Sequence, residues 1–293
     1  MRLAVFILFV SITIGSFGKD KPAYKVFTAE GKKSNYEDII RDISKSDFVF
    51  FGELHDNPIS HWLELEVTRS LFDIKAKTLI LAAEMFEADN QILIDEYFAG
   101  LIKESSFETE ARLWSNYGTD YKPLVNFAKQ NGLKFVASNI PRRYASVVSS
   151  GGFEALQKVS SDGLKFVAPL PIDYDPELAC YKDMLSMGGG TMGHASPNLP
   201  KAQAIKDATM ANFILKNWQK GQIVLHFNGS YHSDKHSGII WYLKKYNPDV
   251  KVSTITTVQQ DDISKLNDEN KGSADYIIVV PSSMTKTYKA AGQ

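Results

Sequence analysis

The stretch Phe48-Val49-Phe50-Phe51-Gly52-Glu53-Leu54-His55-Asp56-Asn57-Pro58 decides the fold. Its first four residues are apolar without alternation, the pattern of a strand covered on both faces. Gly52 permits a tight exit from that strand. Asn57 before Pro58 reads as an N-cap followed by proline at the first helical position. A buried strand therefore runs into a helix over residues 58–72, with Glu53 and His55 at the junction.

The same grammar recurs along the chain. Runs at 78–83, 133–137, 223–227, 250–258 and 276–280, most of them apolar without alternation, read as further strands, and residues 89–99, 121–130 and 205–218 read as helices between them. The expected class is α/β, a largely parallel sheet flanked by helices. Residues 19–293 form this unit, with a smaller helical subdomain inserted near 100–120 and 152–220. The run Gly188-Gly189-Gly190-Thr191-Met192-Gly193-His194 reads as a lid or linker, because glycine costs the most entropy to order.

Composition limits the function classes. The 293 residues carry a formal net charge of -1, with 44% hydrophobic and 23% charged residues. That balance excludes a disordered chain and argues against nucleic acid as a partner. The single cysteine, Cys180, rules out an intrachain disulfide and any cysteine-based metal cluster. Residues 1–18 read as a signal peptide: Arg2, an apolar run from Leu3 to Ile14, then small residues at Ser16 and Gly18. The expectation is an exported protein, periplasmic or extracellular. No cysteine follows the apolar run, so this sequence does not read as a lipoprotein.

The strand ends carry the chemistry. Glu53 and His55 follow the first buried run, Glu84 the second, Asn139 and Arg142-Arg143 the third, and His226 through His232 lie within and after the fourth. In an open parallel sheet, ligands bind beyond the carboxyl ends of the strands, so these groups should meet. Two of the ends share the spacing Gly-x-x-His, at Gly52 to His55 and Gly229 to His232. Glu84 closes an apolar run and would be expensive to bury without a partner. Either arginine could neutralise it or grip a carboxylate.

Each residue also has a plainer reading. Asp56 or Asn57 can serve only as a helix cap. His61 can be a packing residue behind the site, and Tyr117 and Tyr121 ordinary aromatic packing at helix ends. His194 can be idle in its loop, and His236 a surface residue.

Taken together and in order, several blocks resemble the ChaN-like haem-binding, iron-regulated proteins. They are Gly52-Glu53-Leu54-His55-Asp56-Asn57-Pro58 with His61, Glu84-Met85-Phe86, Tyr121-Lys122-Pro123-Leu124, Asn139-Ile140-Pro141-Arg142, Gln203 to Ala211, and His226 to His232. The resemblance implies an α/β sheet with a smaller helical domain, haem bound through a tyrosine, and a homodimer coupled to haem. Tyr121 is the first candidate ligand and Tyr117 the second, with His194 a further cofactor-binding candidate. An outer-membrane haem receptor would be the partner. Members are often lipoproteins, from which this chain departs. The paired Gly-x-x-His motifs are similar to those of the wider superfamily of erythromycin esterases and TraB/Tiki proteins, which implies a hydrolytic or metal-dependent pocket.

Two functions follow. One is haem binding in iron acquisition, since phenolate oxygen suits ferric haem. The other is a hydrolase in which Glu53, His55, Glu84, Arg142 and His232 are catalytic: a carboxylate as general base, imidazole as proton shuttle, and arginine on the developing anion. A divalent metal there would draw on His55, Glu84, His226 and His232.

Overall fold

A computed structural model describes residues 20–187 and 196–288. The signal-peptide reading of residues 1–18 and the glycine-rich run with His194 lie outside the described residues.

In chain order the elements are β1 (Lys25–Thr28), β2 (Lys33–Ser34), α1 (Tyr36–Ile43), β3 (Phe48–Glu53), α2 (Pro58–Lys75), β4 (Leu79–Glu87), α3 (Gln91–Phe98) and α4 (Glu104–Glu110). There follow α5 (Lys122–Asn131), β5 (Lys134–Asn139), α6 (Arg142–Gly151), α7 (Ser161–Leu164), α8 (Ala179–Met187) and α9 (Leu199–Asn217). The chain continues through β6 (Ile223–Gly229), α10 (Ile239–Tyr246), β7 (Val252–Gln260) and β8 (Tyr276–Pro281). The strands form one sheet in the order β2-β1-β8-β7-β3-β6-β4-β5. From β8 to β5 every pairing is parallel, and β1 pairs antiparallel with both β2 and β8.

Unalternated apolar strands have the consequence their pattern predicts. Phe48 and Phe50 pack on one face with Ile80, Ala82 and Val224, beneath Ala204, Ala208 and Ala211 of α9. Val49 and Phe51 pack on the other with Leu79 and Leu81, beneath Leu63, Val67 and Leu71 of α2. Each such buried side chain contributes about 1.5–3 kcal/mol, so the sheet is held from both sides. Asn57 caps α2, its Oδ1 accepting from the backbone N–H groups of Ile59 and Ser60 at 3.0 and 3.2 Å. That is the capping reading of the sequence.

The structure differs from the sequence reading at three places. β1 and β2 were not expected; the first reads KVFT and the second has only two residues, too little for a periodic signal. α9 begins at Leu199, with Pro200 in its first turn, and not at 205. Between Phe153 and Leu164 the chain forms a 3-10 stretch and the short α7, and a small cluster of Ile140, Val148, Leu156, Val167 and Ile205 lies beneath them. No helix among the described residues is long and apolar enough to cross a membrane.

Candidate functional site

β6 lies between β3 and β4, so the carboxyl ends of these strands stand side by side. Glu53 on β3 is register partner to Gly229 on β6. Glu84 lies where the β4–β5 register shifts between Ala83 and Glu87, the kind of irregularity that re-aims a side chain. Its Oε2 accepts the backbone N–H of Gly229 at 2.8 Å. The glycines of the two Gly-x-x-His motifs serve close approach. A Cβ on Gly229 would sit 2.7 Å from His55 Nε2, and one on Gly52 would sit 2.9 Å from Ser230 Cα. Each motif thus needs its glycine because of the other.

A cavity of about 500 Å³ opens over these strand ends, lined by Glu53, His55, Glu84, Asn139, Arg142, Lys206, Tyr231 and His232 among others. The five residues expected to share a pocket, Glu53, His55, Glu84, Arg142 and His232, all border it. Of the two arginines Arg142 lines this cavity, while Arg143 pairs with Asp89 at 2.7 Å. Among the described residues Arg142 makes no ion pair.

Two hydrogen-bonded chains organise the floor. In the first, Glu53 Oε1 meets His55 Nδ1 at 2.6 Å and accepts the Tyr121 hydroxyl at 2.6 Å. Burial alone would raise the Glu53 pKa, but His55, Glu64 and His61 hold it below the ordinary carboxylate value. Burial would lower the His55 pKa, and its bond to Glu53 raises it above the usual imidazole value. In the second chain, His232 Nε2 lies 3.2 Å from Glu84 Oε1 and its Nδ1 lies 2.5 Å from Asp207 Oδ1. The Tyr181 hydroxyl donates to the other Asp207 oxygen at 2.7 Å. Burial opposes charge on His232, but two flanking carboxylates push its pKa up to about 10. Glu84 is likewise held low by His232 against its burial. At neutral pH this is a buried imidazolium clamped between two carboxylates.

Asp207 and Tyr181 were missed by sequence reasoning. The available signal was Asp207 itself, a lone carboxylate on a helix whose neighbours Ala204, Ile205, Ala208 and Ala211 are all buried apolar residues.

A second cleft, of about 800 Å³, shares His55, Glu87, Trp114 and Arg142 with the first and adds Arg112, Leu113, Arg143 and Tyr288. Arg112 bonds Glu87 at 2.9 Å and also Asp89, so Asp89 is held by Arg112 and Arg143 together. Trp114 packs edge-on to His55, ring centres 4.9 Å apart. The segment carrying Tyr288 is tied down through Thr287, whose N–H donates to Asp56 O at 2.9 Å and whose hydroxyl donates to Asp120 at 2.8 Å. Lys286 adds an ion pair with Asp56 at 2.9 Å.

Several sequence candidates lie away from both clefts. Tyr121 is 1% exposed and spends its hydroxyl on Glu53. Burial and the charges of Glu53 and Glu64 push its pKa far up, which opposes an iron-bound phenolate. Tyr117 is buried with its hydroxyl unpartnered, and burial raises its pKa as well. Neither borders either cleft; the tyrosine that lines the larger one is Tyr288. His226 is fully buried, with Nδ1 bonded to Asn228 at 3.0 Å and Nε2 to Ser138 at 2.9 Å, so it has no nitrogen free for a metal. Burial lowers its pKa to about 4. His236 pairs with Asp275 at 3.2 Å away from the site.

The family described as haem-binding uptake, Tiki superfamily, ChaN matches residues 39–243. The chain belongs to this family. Among solved structures, cofacial-haem-bound ChaN of Campylobacter jejuni superposes with a TM-score of 0.66 at 18% identity, covering 88% of this chain and 96% of that one. A Bacillus cereus protein gives 0.51 at 12% identity, covering 91% and 97%. An open conformation of the erythromycin esterase EreC gives 0.47 at 10% identity, covering 80% and 77%. No curated protein sequence matches the chain. The family match agrees with the ChaN-like resemblance read from the sequence blocks, and the first two superpositions agree with the α/β sheet.

Proposed function

We propose that this ChaN family member is an exported haem-binding protein of iron acquisition, with haem seated in the larger cleft. The observation that carries this reading is the set of groups lining that cleft. Trp114 and Leu113 offer an apolar wall, Arg142 is a guanidinium without an ion pair, and Tyr288 presents a phenol. Those are the three things a haem needs: flat apolar contact, cations for its propionates, and an oxygen donor for ferric iron. A volume of about 800 Å³ lies within the range of cofactor sites. Bound haem would supply a ferric centre; the chain's own residues bind and orient it. Burial and the nearby Asp56, Glu53 and Asp120 raise the Tyr288 pKa, so ligation has to expel a proton.

A haem held by one axial tyrosine leaves its other face exposed, and a second copy of the same surface would cover it with two-fold symmetry. Haem supply and release would then involve an outer-membrane receptor or a comparable donor. Adding haemin to the protein without its first 18 residues should give saturable uptake at one haem per chain with a high-spin spectrum. Sedimentation should shift from monomer to dimer on loading. Unsaturable uptake, or a haem-loaded monomer at high concentration, would count against the reading.

One observation favours a second activity, hydrolysis in the smaller cavity. Of the two cavity histidines, His55 is the half-buried one, its side chain 35% exposed, and its Nδ1 is fixed by Glu53, so Nε2 is the free basic nitrogen. The clamped His232 is already protonated at neutral pH and cannot serve as the base. His55→Gln should therefore lower turnover of an ester such as p-nitrophenyl acetate by roughly 10²–10⁴-fold. Because the His55 pKa is raised, wild-type activity should climb with pH through a value above 6.5. Equal turnover by wild type and variant would remove this activity and leave haem binding standing.

A further inference from the structure

Glu53, which lines the smaller cavity, also belongs to a second group of enclosed ligating atoms. Glu53, His61 and Glu64 each place one such atom within 4.8 Å of the other two. Their side chains are 0%, 4% and 0% exposed. His61 and Glu64 stand three residues apart on α2 and so share a face, while Glu53 comes from the end of β3.

The hydrogen bonds around this group leave two of its carboxylate oxygens unsatisfied. His61 Nε2 lies 3.1 Å from the carbonyl oxygen of His55 and 3.4 Å from Asp120 Oδ2, both pure acceptors, so this nitrogen carries the proton. In the neutral ring Nδ1 is then a lone pair. It faces Glu64 Oε2 at 3.1 Å and Glu53 Oε2 at 3.6 Å, which are also acceptors. Glu53 Oε2 and Glu64 Oε1 have no hydrogen-bond partner. Glu53 Oε1 is already taken by His55 and Tyr121. Burial and the neighbouring Glu53 and Asp120 raise the Glu64 pKa well above the ordinary carboxylate value, so acceptors crowded here out of water call for either a proton or a cation among them.

We propose that Glu53, His61 and Glu64 form a buried site for one divalent transition-metal ion of the Zn²⁺ or Mn²⁺ kind. One such ion satisfies all three ligands, and two carboxylates neutralise its charge. Bonds of about 2.1 Å at tetrahedral or octahedral angles put neighbouring donors about 3.0–3.4 Å apart; His61 and Glu64 stand at 3.1 Å, and Glu53 at 3.6 Å from His61 would close in slightly on an ion. The outer contacts of His61 have the form expected of a ligating histidine: its other N–H points at a backbone carbonyl and a carboxylate, fixing the tautomer and the ring. Asp120 is fixed in turn by Asn116 at 2.6 Å and Thr287 at 2.8 Å. A nitrogen with carboxylate oxygens suits zinc and manganese, and the site uses neither the haem cleft nor His232.

The test needs no haem. The protein is expressed in medium supplemented with Zn²⁺ or Mn²⁺, passed over a chelating resin, and its metal counted by mass spectrometry beside its melting temperature. The expected result is one ion per chain, a melting temperature that falls after unfolding and refolding with chelator, and recovery when the ion is returned. Glu64→Gln keeps the shape and removes the charge, and should weaken binding by more than tenfold; His61→Asn is the second variant. A wild-type protein with no metal and no response to either ion overturns the proposal and shows that Glu53 and Glu64 share a proton instead. Full stoichiometry in Glu64→Gln and His61→Asn also overturns it, because the ion would then sit elsewhere.

Discussion

Replacing His232 with alanine should lower folding stability by about 3–5 kcal/mol, because it strands two buried carboxylates without their shared cation. Glu84 and Asp207 are 5% and 2% exposed and both point at this imidazole. The effect should depend on pH with a definite sign. The folded pKa of His232, about 10, lies above the ordinary 6.5, so its contribution is present in full below 6.5 and fades as pH rises through about 10. Glu84 is shifted the other way, so its contribution is present above 4.5 and fades as pH falls below it. Wild-type stability measured by urea unfolding should therefore be highest near pH 5–6 and decline toward pH 10, while His232→Ala should lose most of that decline. A variant within about 1 kcal/mol of wild type across this range would be an ordinary surface-type result and would show that the clamp is not formed.

The second large effect concerns the haem ligand. Tyr288→Phe removes one hydroxyl and should abolish the tyrosinate charge-transfer band of the haem complex, weakening haem binding by roughly tenfold or more, a loss of at least about 1.4 kcal/mol. The same change at Tyr121 should leave the spectrum unaltered. It should instead cost about 1–3 kcal/mol of stability, because Glu53 loses a buried hydrogen bond. The opposite pattern, with Tyr121→Phe silent on stability and decisive for the spectrum, would restore Tyr121 as the ligand and require its phenol to turn out of the core.

Much of this arrangement is legible in the sequence, for physical reasons. Phe48–Phe51 is apolar at every position, and a strand of that kind has to be covered twice, which is how it stands between α2 and α9. Repetition of Gly-x-x-His signalled two strand ends in contact, and the glycines do interlock across β3 and β6. What could not be read is direction. Tyr121 stands in a polar, aromatic segment, and nothing in its neighbours tells that its hydroxyl turns inward to Glu53. Asp207 is one carboxylate in a helix, and its partner His232 follows 25 residues later with a whole strand between. Tyr288 lies in the run Met284-Thr285-Lys286-Thr287-Tyr288, which has no periodicity at all. Its position depends on three bonds to Asp56 and Asp120, contacts that only the folded chain creates.

The most direct test of the central claim is to locate the iron. Crystals of the haem-loaded protein should show, in anomalous scattering at the iron edge, one peak per chain in the cleft of Trp114, Arg142 and Tyr288, at bonding distance from the Tyr288 phenol oxygen. An iron peak anywhere else on the chain, or saturated haem with no peak in that cleft, would contradict the account.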